Sequence, residues 1–168
     1  MIKVKNHEHT TKNRREGPVL HIHCCRRHLR SGDFSLPPRS EGQAGSPIFF
    51  PKDDTPGCTT QACGIRDSWK AIKSTGASLF GISIDPVEAH EKFIAKFDLP
   101  FPLLADTDKS IVKCYGVWVE KSMYGKKYMG TERTTYVIDS NGIIVAIFPK
   151  VKPAEHAELV LEALDTQG

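Results

Sequence analysis

The 168-residue chain predicts an α/β layer fold with a mixed central sheet, and two stretches carry that prediction. Leu79-Phe80-Gly81-Ile82-Ser83-Ile84-Asp85 is a continuous apolar run suited to a strand buried on both faces, with a helical pattern on either side. Thr134-Thr135-Tyr136-Val137-Ile138 and Ile143-Ile144-Val145-Ala146-Ile147-Phe148 flank Asp139-Ser140-Asn141-Gly142, a strong hairpin signal. Alternating strands and helices followed by a hairpin combine parallel and antiparallel strands in one layered unit.

The elements follow in order. Residues 1 to 47 mix His, Arg, Ser, Gly and Pro without sustained periodicity, and Leu36 to Pro47 has loop composition. This segment is expected to be largely unstructured, with the domain running from 48 to 168. Ile48-Phe49-Phe50 is a short apolar strand closed by Pro51. Gln61 to Ser74 carries Ala62, Ile65, Trp69 and Ile72 at helical spacing and ends near Gly76, which places Cys58 at the preceding turn. Beyond the strand at 79–85, Pro86 opens a helix to Phe97, and Lys109 to Tyr115 reads as a short helix. After the hairpin, Pro153 opens a last helix to about Leu164, with Leu159, Val160 and Ala163 facing inward. No internal repeat is visible.

Charge and cysteine usage exclude several classes. The net charge is +3, but residues 1 to 32 hold eight Lys and Arg against Glu8 and Glu16, a balance of +6, so the rest of the chain carries −3. The basicity belongs to the front and lacks the interleaved aromatics that stack on bases, so no nucleic-acid partner is expected. No stretch reaches the roughly 20 apolar residues of a membrane span, and none has the apolar core of a secretory signal. The chain reads as cytoplasmic. Five cysteines, odd in number and unevenly spread, argue for reactive or metal-binding thiols rather than a secreted disulfide framework.

Two of those cysteines stand in Pro51-Lys52-Asp53-Asp54-Thr55-Pro56-Gly57-Cys58-Thr59-Thr60-Gln61-Ala62-Cys63. A thiol with a pKa of about 8.5 must be favoured as thiolate before it can attack, by a helix N-terminus or a neighbouring cation. Cys58 falls in a first helical turn, where unpaired amides and the dipole face an anion. Thr55 offers a hydroxyl to the sulfur or an incoming oxygen, and Pro56-Gly57 fixes a tight turn that exposes the amides of Gly57 and Cys58. On an intact helix Cys58 and Cys63 stand about 7.5 Å apart along the axis and roughly 140° apart around it, beyond disulfide reach. A bond between them therefore requires the helix to unwind. A hydroperoxide would convert Cys58 to a sulfenic acid, with which Cys63 would condense.

Pro51-x-x-x-Thr55-x-x-Cys58 with Cys63 resembles the peroxiredoxins of the bacterioferritin-comigratory-protein type, the Q subfamily. The resemblance runs from about Phe49 to the C-terminus, through Gly81 to Asp85, Leu99 to Asp106, Tyr115-Gly116-Val117 and Glu132 to Asp139. It implies a thioredoxin-like fold and thioredoxin-dependent reduction of hydrogen peroxide and organic hydroperoxides, with no metal and no bound cofactor. It further implies Cys58 as peroxidatic cysteine, Cys63 as resolving cysteine, Thr55 as a hydrogen-bonding partner and Arg133 as the cation that steadies thiolate and peroxide. Pro51, Pro56 and Gly57 take supporting places, and a monomer or weak dimer is expected. Read without the resemblance, Arg133 beside Glu132 is a surface ion pair, Asp53 and Asp54 are solvated turn residues, and Cys114 is core.

The front departs from the family pattern. Asp33-Phe34-Ser35-Leu36-Pro37 echoes it, but the stretch before Pro51 is shorter, and Ser46-Pro47-Ile48-Phe49-Phe50 replaces most of a long strand. Pro47 removes a ladder donor and Gly45 adds no side chain to bury, so reduced stability and activity are expected. The same front supplies a different reading, a zinc or copper module built on His21, His23, Cys24, Cys25 and His28. A thiol-disulfide oxidoreductase on the same fold is a third, against which the four-residue spacer between Cys58 and Cys63 argues.

Overall fold

Five strands form one mixed sheet, in the spatial order β3 (Leu103–Ala105), β2 (Ser78–Ser83), β1 (Gly45–Phe49), β6 (Thr134–Ile138), β7 (Ile144–Pro149). β1, β2 and β3 run parallel, while β6 and β7 add antiparallel pairs. The computed structural model describes residues 44–139 and 144–165. The expectations for residues 1–43, including the histidine and cysteine cluster at 21–28 and the Asp33 to Pro37 echo, lie outside the described residues, as does the hairpin turn at 140–143.

Alternation along the buried strands divides the core between two faces. Ile48, Phe50, Leu79 and Val137 face α1 (Pro56–Asp67), α2 (Trp69–Ser74), α3 (Val87–Phe97) and α5 (His156–Asp165), where Ile65, Ile72, Phe93, Val160 and Leu164 close the layer. Phe49, Phe80, Ile82, Tyr136 and Ile138 face the other way, toward Ile111 and Val112 of the short α4 (Ser110–Cys114). Asp106 fixes the start of α4 by accepting from the amides of Ile111 at 3.0 Å and Val112 at 2.8 Å.

The structure revises several expected boundaries. The helix expected from Gln61 to Ser74 begins five residues earlier, at Pro56 in the N1 position, and is interrupted at Ser68, so two helices replace one. β4 (Trp118–Met123) and β5 (Lys126–Thr131) form a separate antiparallel ribbon that no pattern in the sequence predicts. Its strands are largely exposed and rich in Lys, so no apolar alternation marks them. Its two-residue turn puts Tyr124 and Gly125 at φ 51° and 75°, the primed geometry that matches strand twist.

β1 is the largest correction. The expected strand Ile48-Phe49-Phe50 is Gly45–Phe49, buried throughout and central in the sheet, with Pro47 inside it. Proline is normally confined to sheet edges because it cannot donate to the ladder. Extending the register of Ile48 with Thr135 sets Pro47 opposite Tyr136, whose carbonyl would receive its N–H. Instead the buried Ser46 hydroxyl donates to Tyr136 O at 3.1 Å. The lost ladder bond on the β6 side is thus replaced by a side chain one residue earlier, while on its other side β1 pairs with β2 across its whole length.

Ser46→Ala should therefore leave a buried carbonyl unpaired and cost about 1–3 kcal/mol, read as a lower urea midpoint at unchanged slope. Adding Pro47→Val, which restores an N–H facing Tyr136, should recover part of that loss. An unchanged midpoint in Ser46→Ala would show that the hydroxyl does not carry the carbonyl.

Candidate active site

The site is assembled where β1 ends and α1 begins. Thr55 is the N-cap of α1, with extended backbone (φ −91°, ψ 152°), followed by Pro56, Gly57 and Cys58 as the first three helical residues. The first helical bond runs from Thr59 N to Thr55 O at 2.8 Å, so the amides of Gly57 and Cys58 have no acceptor within the helix. No acidic residue occupies that first turn, so the positive end of the helix stays available to an anion.

Cys58 is 2% exposed and packs into the core beneath the helix, whereas Cys63, five residues and about 1.4 turns later, is partly exposed. Arg133, in the two-residue link between β5 and β6, donates from Nη2 to Cys58 Sγ at 3.4 Å and from Nη1 to Gln61 Oε1. The surface ion pair with Glu132 is not what the structure shows. Gly57 makes this approach possible: a Cβ there would lie 3.2 Å from Arg133 Nη2 and 3.5 Å from Pro153.

The hydroxyl of the N-cap Thr55, three residues before Cys58, donates to Lys52 O at 3.0 Å rather than to the sulfur. With its proton engaged, the oxygen presents lone pairs and can accept from an incoming O–H. Below the sulfur, a cavity of about 20 Å³ is lined by Phe50, Ile65, Phe93 and Leu103. That is room for roughly one water.

The Pro51 to Thr55 loop is tied down rather than solvated. Asp53, expected to face solvent, is buried: its amide donates to Asp85 Oδ2 at 2.8 Å and its carboxylate lies 2.7 Å from His90 Nδ1 of α3. Asp54 is exposed and pairs with Lys96, also on α3, at 2.7 Å. Of the expected site residues, Thr55, Pro56, Gly57, Cys58 and Arg133 converge on the helix start, Pro51 begins the anchored loop, and Cys63 stays apart from them on the same helix.

Sequence reasoning missed two polar side chains behind Arg133. Gln61, one helical turn after Cys58, places Nε2 3.1 Å from His156 Nδ1, and His156 Nε2 lies 2.6 Å from Thr135 Oγ1. A polar residue three positions from Cys58 on a buried helix face was a signal for Gln61. Nothing local marks His156, which is 95 residues away. His156 is fully buried, and its pKa is pushed down to about 4 by desolvation, with the charge of Arg133 adding to the effect. Lys121 of β4 donates to Thr131 O at 2.5 Å, and its pKa is lowered by burial. Among the described residues, no group of three His, Cys, Asp or Glu is placed to hold a metal ion.

The AhpC/TSA family matches residues 33–147. The chain is 45% identical over 118 residues to peroxiredoxin Bcp of Bacillus subtilis, covering 70% of this chain and 73% of the relative. It is 40% identical over 149 residues to peroxiredoxin Bcp of Escherichia coli, covering 81% and 96%. A solved structure of Xanthomonas campestris peroxiredoxin Q superposes with a TM-score of 0.71 at 39% identity, over 74% of this chain and 79% of that one. A trapped intermediate/ligand complex of the bacterioferritin comigratory protein from the same organism, described for alkyl peroxide reduction, gives 0.71 at 38% identity, over 74% and 80%. The mixed sheet and its helices therefore form the thioredoxin-like fold of the peroxiredoxins.

The depressed His156 pKa has a consequence for stability. Above pH 6.5 the imidazole is neutral whether the chain is folded or unfolded. As pH falls toward 4 the unfolded chain takes up a proton that the folded protein refuses, so stability is lost across that window, by up to about 3 kcal/mol. His156→Gln should flatten this part of the stability–pH curve; an identical slope in the variant would contradict the assignment.

Proposed function

The chain belongs to the AhpC/TSA family and is a peroxiredoxin, a thiol peroxidase, and on that premise we propose that Cys58 attacks the hydroperoxide and Cys63 resolves the product. The observation that carries the reading is the Arg133 guanidinium 3.4 Å from a cysteine sulfur in the first turn of a helix. A thiolate there gains a charge-assisted hydrogen bond and the helix dipole together.

The Cys58 thiolate attacks the terminal oxygen of the O–O bond, that bond breaks, and the remainder leaves as an alkoxide or hydroxide that takes a proton from solvent. Cys58 becomes a sulfenic acid and the hydroperoxide an alcohol or water. Thr55 accepts a hydrogen bond from the bound peroxide and orients it, and Arg133 stabilises the negative charge that moves from sulfur to the departing oxygen. Pro51, Pro56 and Gly57 support this geometry through the anchored loop and the close approach of Arg133.

Resolution is a conformational problem. Cys58 and Cys63 occupy one continuous helix, about 7.5 Å apart along its axis. A disulfide needs Cα atoms within about 4.4–6.8 Å, so the first turns of α1 must open before Cys63 can displace the sulfenic oxygen as water. A dithiol protein of the thioredoxin type then returns two electrons and two protons to the disulfide.

The reading takes hydrogen peroxide and organic hydroperoxides as substrates, in keeping with the alkyl peroxide reduction described for the Xanthomonas campestris protein. It also takes a monomer or weak dimer acting in the cytoplasm, where thiols stay reduced. Among the described residues no helix is long and apolar enough to cross a membrane.

Peroxide consumption coupled to a thioredoxin system tests these roles. Cys58→Ser should abolish turnover, and Cys63→Ser should allow one oxidation and leave a trappable sulfenic acid. Arg133→Ala should lower kcat/KM for peroxide on the order of 100-fold, as for loss of an oxyanion-stabilising donor, with Arg133→Lys intermediate. Unchanged turnover in Cys58→Ser would overturn the mechanism.

A further inference from the structure

Gln61 stands between the two cysteines, three residues after Cys58 and two before Cys63, and it is 3% exposed. Its amide orientation follows from its neighbours. Arg133 has only donors, so it takes Oε1, which leaves Nε2 to donate to His156 Nδ1. The imidazole must then carry its proton on Nε2, from which it donates to Thr135 Oγ1 at 2.6 Å. A neutral histidine is required for this sequence of donors and acceptors, and complete burial beside a guanidinium keeps it neutral.

One chain of hydrogen bonds, buried from Thr135 to Gln61 and part-buried at Arg133, thus runs from Thr135 of β6 through His156 of α5 and Gln61 of α1 to Arg133, and ends on the Cys58 sulfur. Unwinding α1 to join Cys58 and Cys63 displaces the residue between them, which breaks both Gln61 bonds at once. The chain therefore exists only in the wound helix.

We propose that His156 is a positioning residue that latches α1: through Gln61 it aims Arg133 at Cys58 and favours the wound, peroxide-reactive helix over the unwound, disulfide-forming one. The proposal rests on the roles assigned to Cys58 and Cys63. It gives His156 opposite effects on the two steps. The latch speeds peroxide attack, which needs Arg133 on the sulfur, and slows disulfide closure, which needs the helix open. A slower closure leaves the sulfenic acid exposed longer to a second hydroperoxide, whose oxygen converts it to a sulfinic acid and releases a second alcohol or water.

The test is single-turnover rapid quench with hydrogen peroxide, trapping sulfenic acid and quantifying disulfide and sulfinic acid by mass spectrometry. His156→Leu should slow thiol oxidation about tenfold, the scale of a weakened bond to a charged group. It should also speed disulfide closure severalfold and reduce sulfinic acid at excess peroxide. His156→Asn, which keeps an acceptor near the Nδ1 position, should restore both rates toward wild type. A merely structural histidine would move the two rates together or not at all, and either result in His156→Leu overturns the latch. If His156→Leu lacks a cooperative melt, Thr135→Val is read in its place: it removes only the far acceptor, and the same opposed shifts of at least twofold support the latch, while unmoved or parallel shifts overturn it. Cys58→Ser run alongside separates the two claims. Retained turnover there refutes the cysteine assignment, whereas lost turnover with unopposed shifts refutes the latch alone.

Discussion

The guanidinium of Arg133 spans two groups on one helix, the Cys58 sulfur and the Gln61 amide, and the site is organised around that span. Arg133 is placed by the sheet, immediately before β6, and its own carbonyl accepts the Val151 amide at 3.2 Å. The two residues it holds are placed by α1. The geometry therefore exists only while sheet and helix keep their relative position and α1 stays wound through its second turn. Gly57 permits the approach by presenting no side chain between guanidinium and helix. The anchored loop from Pro51 to Thr55 fixes where the helix starts, through Asp53 on Asp85 and His90 and through Asp54 on Lys96.

That arrangement couples stability to chemistry in opposed directions. A helix start that is rigid and well bonded presents the sulfur to a cation and to unpaired amides. The same rigidity keeps Cys63 out of reach, because five residues of α-helix separate two thiols by more than a disulfide spans. Under the proposed mechanism, each catalytic cycle gives up the hydrogen bonds that hold the helix start and then recovers them. Polar bonds serve this better than a larger apolar contact would, since water can satisfy the released groups when the helix opens.

Much of this was legible in the sequence. The apolar run at 79–85, the hairpin strands around 139–142 and the proline-opened helices at 86 and 153 lie close to β2, β6, β7, α3 and α5, because burial on a sheet or helix face leaves a local pattern. The Thr55-Pro56-Gly57-Cys58 turn was readable because its chemistry is local too. The exposed β4-β5 ribbon left no apolar alternation, and β3 is only three residues long. Pro47 in a central strand contradicts the usual rule, and the compensating bond from Ser46 reaches Tyr136, 90 residues on. His156 was invisible for the same reason: its partners Gln61 and Thr135 are 95 and 21 residues away, and such pairings follow from topology rather than composition.

In the proposed cycle α1 is wound for peroxide attack and unwound for disulfide closure. Hydrogen–deuterium exchange of the amides from Cys58 to Cys63, compared between reduced protein and protein oxidised by one equivalent of peroxide, reads both states of the helix. Protection is expected in the reduced protein for the amides from Thr59 onward, which have intrahelical acceptors, and its loss on oxidation, with the sheet unchanged. Protection retained across Thr59 to Cys63 in a protein shown to hold the Cys58–Cys63 disulfide would contradict it.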